Sequence, residues 1–420
     1  MSALAAGLYS TLLRLATPAY LARLWWRGRR EPPYRQFIGE RLGLAAGDGL
    51  TGRTWIHAVS LGETLAATAL VDALREREPG LRLLFTHSTA TGRDAGAKLL
   101  RAGDLQAWLP YDTPGAVRRF LRLHRPAVGV LMETEIWPNL LRAARHERVP
   151  MVLANARLSE RSAIKGERWD ALLRPAVASL AGVLAQTARD AERLRGAGAS
   201  NVEVAGNLKF DSTPDAVLLA RGRAWRALEE RPTVLAAVTR EGEEAMLLQA
   251  WRALPEPRPL LVIVPRHPQR FDEVAALVAN AGFALQRRSA WADMPPPGAA
   301  AADVWLGDSM REMALYYGLA DVALLGGSYA PLGGQNLIEA AACGCPVVMG
   351  PHTFNFELAA ELAIEAGAAR RVAAMDAAVR AAVPMALRRA VPDPQAEAFA
   401  AAHRGAAGRM AERVLALRQR

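Results

Sequence analysis

The sequence predicts an α/β chain built from two Rossmann-like, doubly wound halves, and three observations carry that expectation. Short apolar runs ending in glycine or polar turns alternate with helical stretches along most of the 420 residues, the pattern of parallel sheets covered by helices. The alternation pauses at the polar, Pro-containing stretch DSTPDAVLLARGRAW and then restarts. Residues 321–356, DVALLGGSYAPLGGQNLIEAAACGCPVVMGPHTFNF, combine strand, glycine loop, helix start and strand in a single corner. Glycines there let backbone approach a ligand, and the unpaired N–H groups of a helix start favour an anion.

Composition bounds the partners. Hydrophobic residues make up 51% and charged residues 22% of the chain, which excludes a disordered polymer, and the length suits two cores. The net charge of +10 points to an anionic partner: nucleic acid, acidic lipid or a phosphorylated substrate. Cys343 and Cys345 are the only cysteines. They are too few for a structural zinc site and too close to bridge readily, which favours packing roles in a reducing compartment.

Residues 1–30 form the first segment. Within it, residues 4–26 are apolar but contain Arg14, Arg23 and Pro18, and WWRGRR follows where a signal peptide would carry a small-residue cleavage site. Two arginines make spanning a bilayer costly, so the expectation is a membrane-associated helix lying in the interface. Its leucines and tryptophans would sink in, while Arg23, Arg27, Arg29 and Arg30 meet anionic headgroups. A surface helix packed on the body is the alternative. Residues 1–60 hold eight arginines against three acids, Glu31, Glu40 and Asp48.

Residues 31–205 read as the first Rossmann-like domain. Trp55 to Val59 form its first strand, and the turn through Glu63 opens a helix over Thr64 to Arg75. A carboxylate at this strand lip lies where open α/β sheets bind ligands, or else simply complements the helix dipole. Leu81 to Phe85 make a second strand. Val128 to Met132 make another, followed at once by Glu133 and Glu135, which are either catalytic or clamps for neighbouring loops. Strands Met151 to Ala154 and Gly182 to Ala185 follow, and GNLKFD closes the half.

Residues 206–230 are expected to link the halves, and 231–385 to form the second Rossmann-like domain. There PTVLAAVTREGEEAMLLQAW reads as strand, turn and helix. The strand in PLLVIVPRHPQRF ends at Pro265-Arg266, where a planar guanidinium suits two phosphate oxygens. WADMPPPGAAAADVW reads as a flexible surface connection before the corner, and 386–420 as terminal helices. Within the corner, Glu339 falls in the first helical turn, where a carboxylate would repel phosphate and so pairs better with ribose hydroxyls. A Gly-rich turn with a helix-capping acid is the plainer reading. No Walker loop, His-Glu zinc pattern, Gly-x-Ser-x-Gly elbow or G-x-G-x-x-G fingerprint is present.

Two α/β halves with phosphate-type groups in the second point to a nucleotide-sugar enzyme. In family order from about residue 20 to 360, the chain carries HAVSLGET, LPYDTP, METEIWPNL, ANARLSERS, GNLKFD, VPRHPQRF, GDSMREM, GGSYAPLGGQNLIEAA and MGPHTFNF. In these it resembles the Kdo transferases, the 3-deoxy-D-manno-octulosonic acid transferases of lipid A synthesis, which have the GT-B glycosyltransferase fold with an interdomain cleft. The resemblance implies transfer of Kdo from CMP-Kdo to a tetra-acylated lipid A precursor by an inverting, metal-independent reaction. It needs no cofactor and occurs on the cytoplasmic face of the inner membrane. Glu63 matches the catalytic base, and Glu133 and Lys209 match transition-state stabilisers, with Glu135 left as the competing carboxylate of METE. Pro265 and Arg266, then Met310, Arg311 and Glu312, then Asn336, Leu337, Ile338 and Glu339 match CMP-binding segments. Many relatives have His at Gln335 and Arg240; neither position carries a role above. The implied partners are CMP-Kdo, the lipid acceptor and an anionic membrane surface. Nucleic acid is not among them, because the arginines are dispersed over many helices rather than lining one groove. Another enzyme of this fold using a UDP-sugar, a transferase or an epimerase, is the alternative.

Overall fold

The computed structural model describes residues 2–45, 47–211, 213–388 and 391–419. The chain divides into two compact units, one of residues 1–211 with 404–420 and one of residues 212–403. Each is organised on a parallel sheet.

In the first unit the strands are β1 (Thr54–His57), β2 (Leu83–His87), β3 (Leu105–Trp108), β4 (Val128–Met132), β5 (Met151–Ala156), β6 (Gly182–Ala185) and β7 (Val202–Val204). Among the described residues they form a seven-stranded sheet ordered β3-β2-β1-β4-β5-β6-β7. Thr54 and Trp55 of β1 lie beside Leu83 and Leu84 on one side, and beside Val128 and Gly129 on the other. Side chains alternate between two cores. Ile56, Val128 and Val130 face helix Leu61–Arg77, whereas Trp55, Leu84 and Leu131 face helices Pro114–His124 and Pro138–His146. Burial on both faces explains why these strands read as unbroken apolar runs. Gly129 is required by close approach: a Cβ there would meet the Met151 sulfur at 2.4 Å and the Trp55 ring at 2.8 Å.

The second unit repeats the plan with β8 (Thr233–Thr239), β9 (Leu260–Pro265), β10 (Leu285–Arg287), β11 (Val304–Leu306), β12 (Val322–Leu325), β13 (Val347–Met349) and β14 (Ala369–Arg371). Their order is β10-β11-β9-β8-β12-β13-β14, again parallel. The α/β expectation with two doubly wound sheets therefore holds.

Several details differ from the sequence reading. The expected linker contains a helix, Ala216–Leu228, that belongs to the second unit and packs on helix Met313–Leu319. The contact is made through small residues rather than an apolar stripe, which hid it: a Cβ on Gly222 would lie 2.0 Å from the Leu315 carbonyl. The connection expected to be flexible is pinned by an aromatic chain, Trp225 to Trp291 to Trp305, with ring centroids 5.7 and 4.9 Å apart. The terminal segment is divided. Helix Pro394–His403 lies in the second unit, while Ala406–Arg418 returns to the first and buries Met410, Val414 and Leu417 with Leu70 and Leu74. Ser212 of the expected linker and Arg389, Ala390 and Arg420 of the terminal segment lie outside the described residues.

The N-terminal helix Ser2–Arg27 is docked on the first unit through Tyr9, whose hydroxyl donates to Asp112 at 2.9 Å, and Ser10, bonded to Asn139 at 3.0 Å. Leu4, Leu8, Leu12, Leu15 and Trp26 remain exposed, at spacings that repeat along one helical face. Among the described residues no helix is long and apolar enough to cross a membrane.

Candidate active site

Two neighbouring strands in the first unit send their following helices to opposite faces of the sheet. The helix after β1 packs on one core and the helix after β4 on the other. Loops that part in this way open a crevice at the carboxyl edge, the usual ligand position in such sheets. Glu63 follows β1; Glu133 and Glu135 follow β4.

Ser60 caps helix Leu61–Arg77, and Glu63 answers it. The Glu63 N–H donates to Ser60 Oγ at 3.5 Å, the Ser60 hydroxyl donates back to Oε1 at 3.1 Å, and Oε2 accepts the Val59 N–H at 2.8 Å. This is a variant of the reciprocal capping box. Each oxygen retains a lone pair for a further donor. Burial raises the Glu63 pKa, and the Glu133 charge adds to the rise. The plain reading of Glu63 as a helix-start acid is thus correct, and the same geometry leaves it able to accept a proton.

Glu133 has φ of 58°, a left-handed backbone unusual for a residue with a side chain, and donates its N–H to the Ala154 carbonyl at 2.9 Å. Glu135 is pushed up to about 7, chiefly by burial, then by the charges of Glu63 and Glu133, against the Trp137 side chain, which lowers it. The three carboxyls therefore act on one another, and Glu135 is the one held at a proton affinity near neutrality.

Lys209 lies in a short turn, Leu208–Asp211, anchored at the same sheet edge. The β5–β6 register shifts between Leu153 and Ala156, and Asn155, at φ 52° in this bulge, accepts the Leu208 N–H at 3.1 Å. The Asn207 amide donates to Gln186 at 3.1 Å, and Gln186 in turn donates to the Asn155 carbonyl at 3.0 Å. Asn155, Gln186 and Asn207 were not assigned roles from sequence; their bonds span 21 to 53 residues, and no local pattern marks them.

The second unit holds the other named residues. β8 and β12 are neighbours, and the loops beyond them meet at Glu243. This fully buried carboxylate accepts N–H bonds from Arg240 at 3.0 Å, Gly327 at 2.7 Å and Tyr329 at 3.1 Å. Gly327, Gly333 and Gly334 all have positive φ, and the Gly334 N–H closes onto the Gly327 carbonyl at 2.8 Å. Asn355 fastens the far side of the loop, donating its amide to the Leu332 carbonyl at 3.0 Å. Glu244, also fully buried, holds Arg270 through two bonds of 2.7 and 3.0 Å. Glu243 and Glu244 were missed by sequence reasoning, although their place at a helix start directly after a strand was a usable signal.

Around this loop, Arg266 follows β9 with an exposed side chain and its N–H bonded to the Thr239 carbonyl at 3.0 Å. Pro265 ends that strand. Met310 and Arg311 are exposed in the loop after β11, where Arg311 has φ of 65°, while Glu312 is committed to Arg288 at 3.0 Å. Asn336 caps helix Leu337–Ala342 by accepting the Ile338 N–H at 3.1 Å. Leu337 and Ile338 are buried, so only their backbone is available to a ligand. Glu339 is half-buried; burial raises its pKa, and among the described residues its carboxylate accepts no hydrogen bond. Cys343 and Cys345 are both fully buried. Among the described residues no cluster of three or more His, Cys, Asp or Glu could hold a metal ion.

Comparison with known proteins identifies the family. The family described as 3-Deoxy-D-manno-octulosonic-acid transferase (kdotransferase) matches residues 36–212. The 3-deoxy-D-manno-octulosonic acid transferase of Bordetella pertussis is 49% identical over 421 residues, covering 96% of this chain and 97% of that protein. The protein of the same name from Haemophilus influenzae is 36% identical over 356 residues, covering 83% and 82%. A solved UDP-GlcNAc 2-epimerase from Neisseria meningitidis, bound to UDP-GlcNAc, aligns with a TM-score of 0.55 at 12% identity, covering 88% of this chain and 99% of that one. That last likeness is one of fold alone, the GT-B-like plan of two parallel sheets. With a relative nearly half identical along almost its whole length, the chain belongs to the 3-deoxy-D-manno-octulosonic acid transferase family.

Proposed function

We propose that this chain transfers Kdo from CMP-Kdo to a tetra-acylated, phosphorylated lipid A precursor with release of CMP and inversion at the anomeric carbon. The observation that carries the reading is the group of carboxyls flanking the crevice between β1 and β4. Glu63 takes the proton from the acceptor hydroxyl as that oxygen attacks the anomeric carbon. Its burial favours this work, because a carboxyl with raised proton affinity is a better base near neutral pH. Glu133 or Glu135 stabilises the positive charge that develops on the sugar ring, and Lys209 the negative charge on the departing phosphate.

In the second unit, Arg266 and the N–H groups at Asn336–Ile338 suit the CMP phosphate, with Met310 and Arg311 lining the nucleotide from the loop after β11. Glu312, held by Arg288, fixes that loop. Glu339, whose carboxylate accepts no hydrogen bond among the described residues, suits the two ribose hydroxyls. The reaction needs no metal on this reading, because CMP carries one phosphate and these groups can neutralise it.

The acceptor accounts for the N-terminal helix. Its exposed leucines and Trp26, with Arg23, Arg27, Arg29 and Arg30 at its end, suit an anionic bilayer surface, which supports the reading of an enzyme that works at the cytoplasmic face of the inner membrane. Incubation with CMP-Kdo generated in situ and the tetra-acylated precursor, with products read by mass, tests the function. Glu63→Ala should lose transfer while calorimetry still detects CMP binding. Unimpaired transfer by that variant would remove Glu63 from the mechanism, and a preference for UDP over CMP would overturn the donor assignment.

A further inference from the structure

The first unit contains a cavity of about 230 Å³ between the N-terminal helix and the loop that follows β3. Leu13, Thr17, Tyr20 and Leu24 form one wall, spaced to share one face of that helix; Arg41 and Tyr111 stand on the other. This is a different helical face from the exposed row of Leu4, Leu8, Leu12 and Leu15. The space is that of roughly eight waters, enough for a phosphate and a short run of methylenes.

The polar atoms in this mostly apolar wall are unusual. Arg41 is 4% exposed, its guanidinium stacked 4.0 Å from the Trp108 ring centroid, yet its Nε and Nη2 have no hydrogen-bond partner among the described residues. The Tyr111 hydroxyl is likewise buried without a partner. Burial lowers the Arg41 pKa to about 10, as it does for a cation that lacks an acceptor. Nearby carboxylates are already committed. Glu40 Oε2 accepts from Arg93 at 3.0 Å and from the Trp108 N–H at 2.8 Å. Asp112, in the cavity wall, accepts from Tyr9 at 2.9 Å and from the N–H groups of Asn139 and Leu140 at 3.0 and 2.7 Å. Unused donors in an apolar surround call for a ligand that brings acceptor oxygens, since leaving such groups unpaired is costly.

The cavity also adjoins the carboxyl group cluster. Trp137, two residues after Glu135, lines it, and its indole N–H is also buried without a hydrogen-bond partner among the described residues. Ser88 lines it too and donates its N–H at 3.2 Å to the carbonyl of Val59, whose own N–H bonds Glu63.

We propose that this cavity is an acceptor subsite that takes a phosphorylated, acylated lipid by its anionic end. Arg41 and Tyr111 hold phosphate oxygens, and the Leu13–Leu24 face of the N-terminal helix covers the adjoining hydrocarbon. The identity of that lipid as the sugar acceptor rests on the function proposed above; the ligand chemistry does not.

Calorimetric titration of the full chain with decyl phosphate, decanol and inorganic phosphate tests it. Decyl phosphate should bind at least about tenfold more tightly than either of the others, as expected for hydrogen bonds to a charged group. Arg41→Gln and Tyr111→Phe should each weaken it by about tenfold, and Thr17→Trp, which fills the space, should abolish it. Tyr111→Phe removes one oxygen only, so its result stands even if Arg41→Gln unfolds on loss of the stacked guanidinium. Equal binding of decanol, or undiminished decyl phosphate binding by Thr17→Trp, would overturn the proposal. The lipid A precursor should displace decyl phosphate where vesicles of anionic phospholipid do not; the reverse would overturn its assignment as acceptor. In transfer assays Tyr111→Phe should raise KM for the lipid and leave kcat and CMP affinity unchanged. Absence of transfer by the parent enzyme would sink the proposed function alone, because the decyl phosphate titrations do not depend on it.

Discussion

Replacing Glu135 by glutamine should stabilise the protein above neutral pH. The carboxyl is raised from its ordinary 4.5 to about 7 by burial first and by the charges of Glu63 and Glu133 after that. The native state therefore holds this proton more tightly than the unfolded chain. Between those two values the native state binds more protons, so stability falls as pH rises through the window and levels off above it. Moving a carboxyl from 4.5 to about 7 corresponds to about 3 kcal/mol, and because the charge is shared with two neighbours about 1–3 kcal/mol is expected from one substitution. Glutamine keeps the shape and cannot ionise. Urea unfolding across pH 5 to 8 should show the variant close to its parent at the acid end and more stable by about 1–3 kcal/mol at the alkaline end. A difference that does not change with pH, or that shrinks as pH rises, would refute the reasoning that buried, mutually repelling carboxyls meet at this edge.

Three further outcomes follow from the same structure. Glu243→Gln sets an amide against the N–H groups of Arg240, Gly327 and Tyr329, and should cost about 2–4 kcal/mol in urea unfolding and weaken CMP binding by calorimetry; unchanged CMP affinity would show that the glycine corner does not depend on this clamp. Gly326→Ala should lower stability by about 1–3 kcal/mol in thermal unfolding, because its Cβ would lie 2.2 Å from the Val238 carbonyl, where the backbone has little freedom to move; a neutral result would contradict that packing. Removing residues 2–27 should cost about 1–3 kcal/mol from the lost bonds of Tyr9 and Ser10 while leaving both sheets folded, and should abolish sedimentation with anionic vesicles; full retention at high salt would place membrane attachment elsewhere.

Much of the site was legible because parallel sheets announce their carboxyl edges. Val128–Met132 and Leu260–Pro265 are buried on both faces, so they appear as apolar runs, and the residues directly after them, Glu133 and Arg266, are marked by position alone. The strands that escaped reading are short ones whose apolar residues are interrupted or followed by polar or charged ones, LQAW, VEV, LQR and ARR, and all four lie at sheet edges, where one side has no strand partner among the described residues. Helix Ala216–Leu228 escaped because its packing rests on Gly222 rather than on an apolar stripe.

By itself the sequence determined the two-sheet α/β plan, the family and the positions of the candidate acids and bases, since each is written in local pattern or in motif order. Tertiary structure decided what those groups experience. Glu135 gains its raised proton affinity from burial and from charges on another loop. The glycine corner is clamped by a glutamate 84 residues away from Gly327, and Asp211 is bonded to the N–H of Gly405 across 194 residues. Arg41 stacks on Trp108, from a distant strand, and there its buried Nε and Nη2 have no hydrogen-bond partner among the described residues. Desolvation and long-range pairing depend on which distant segments meet, and no stretch of sequence carries that information alone.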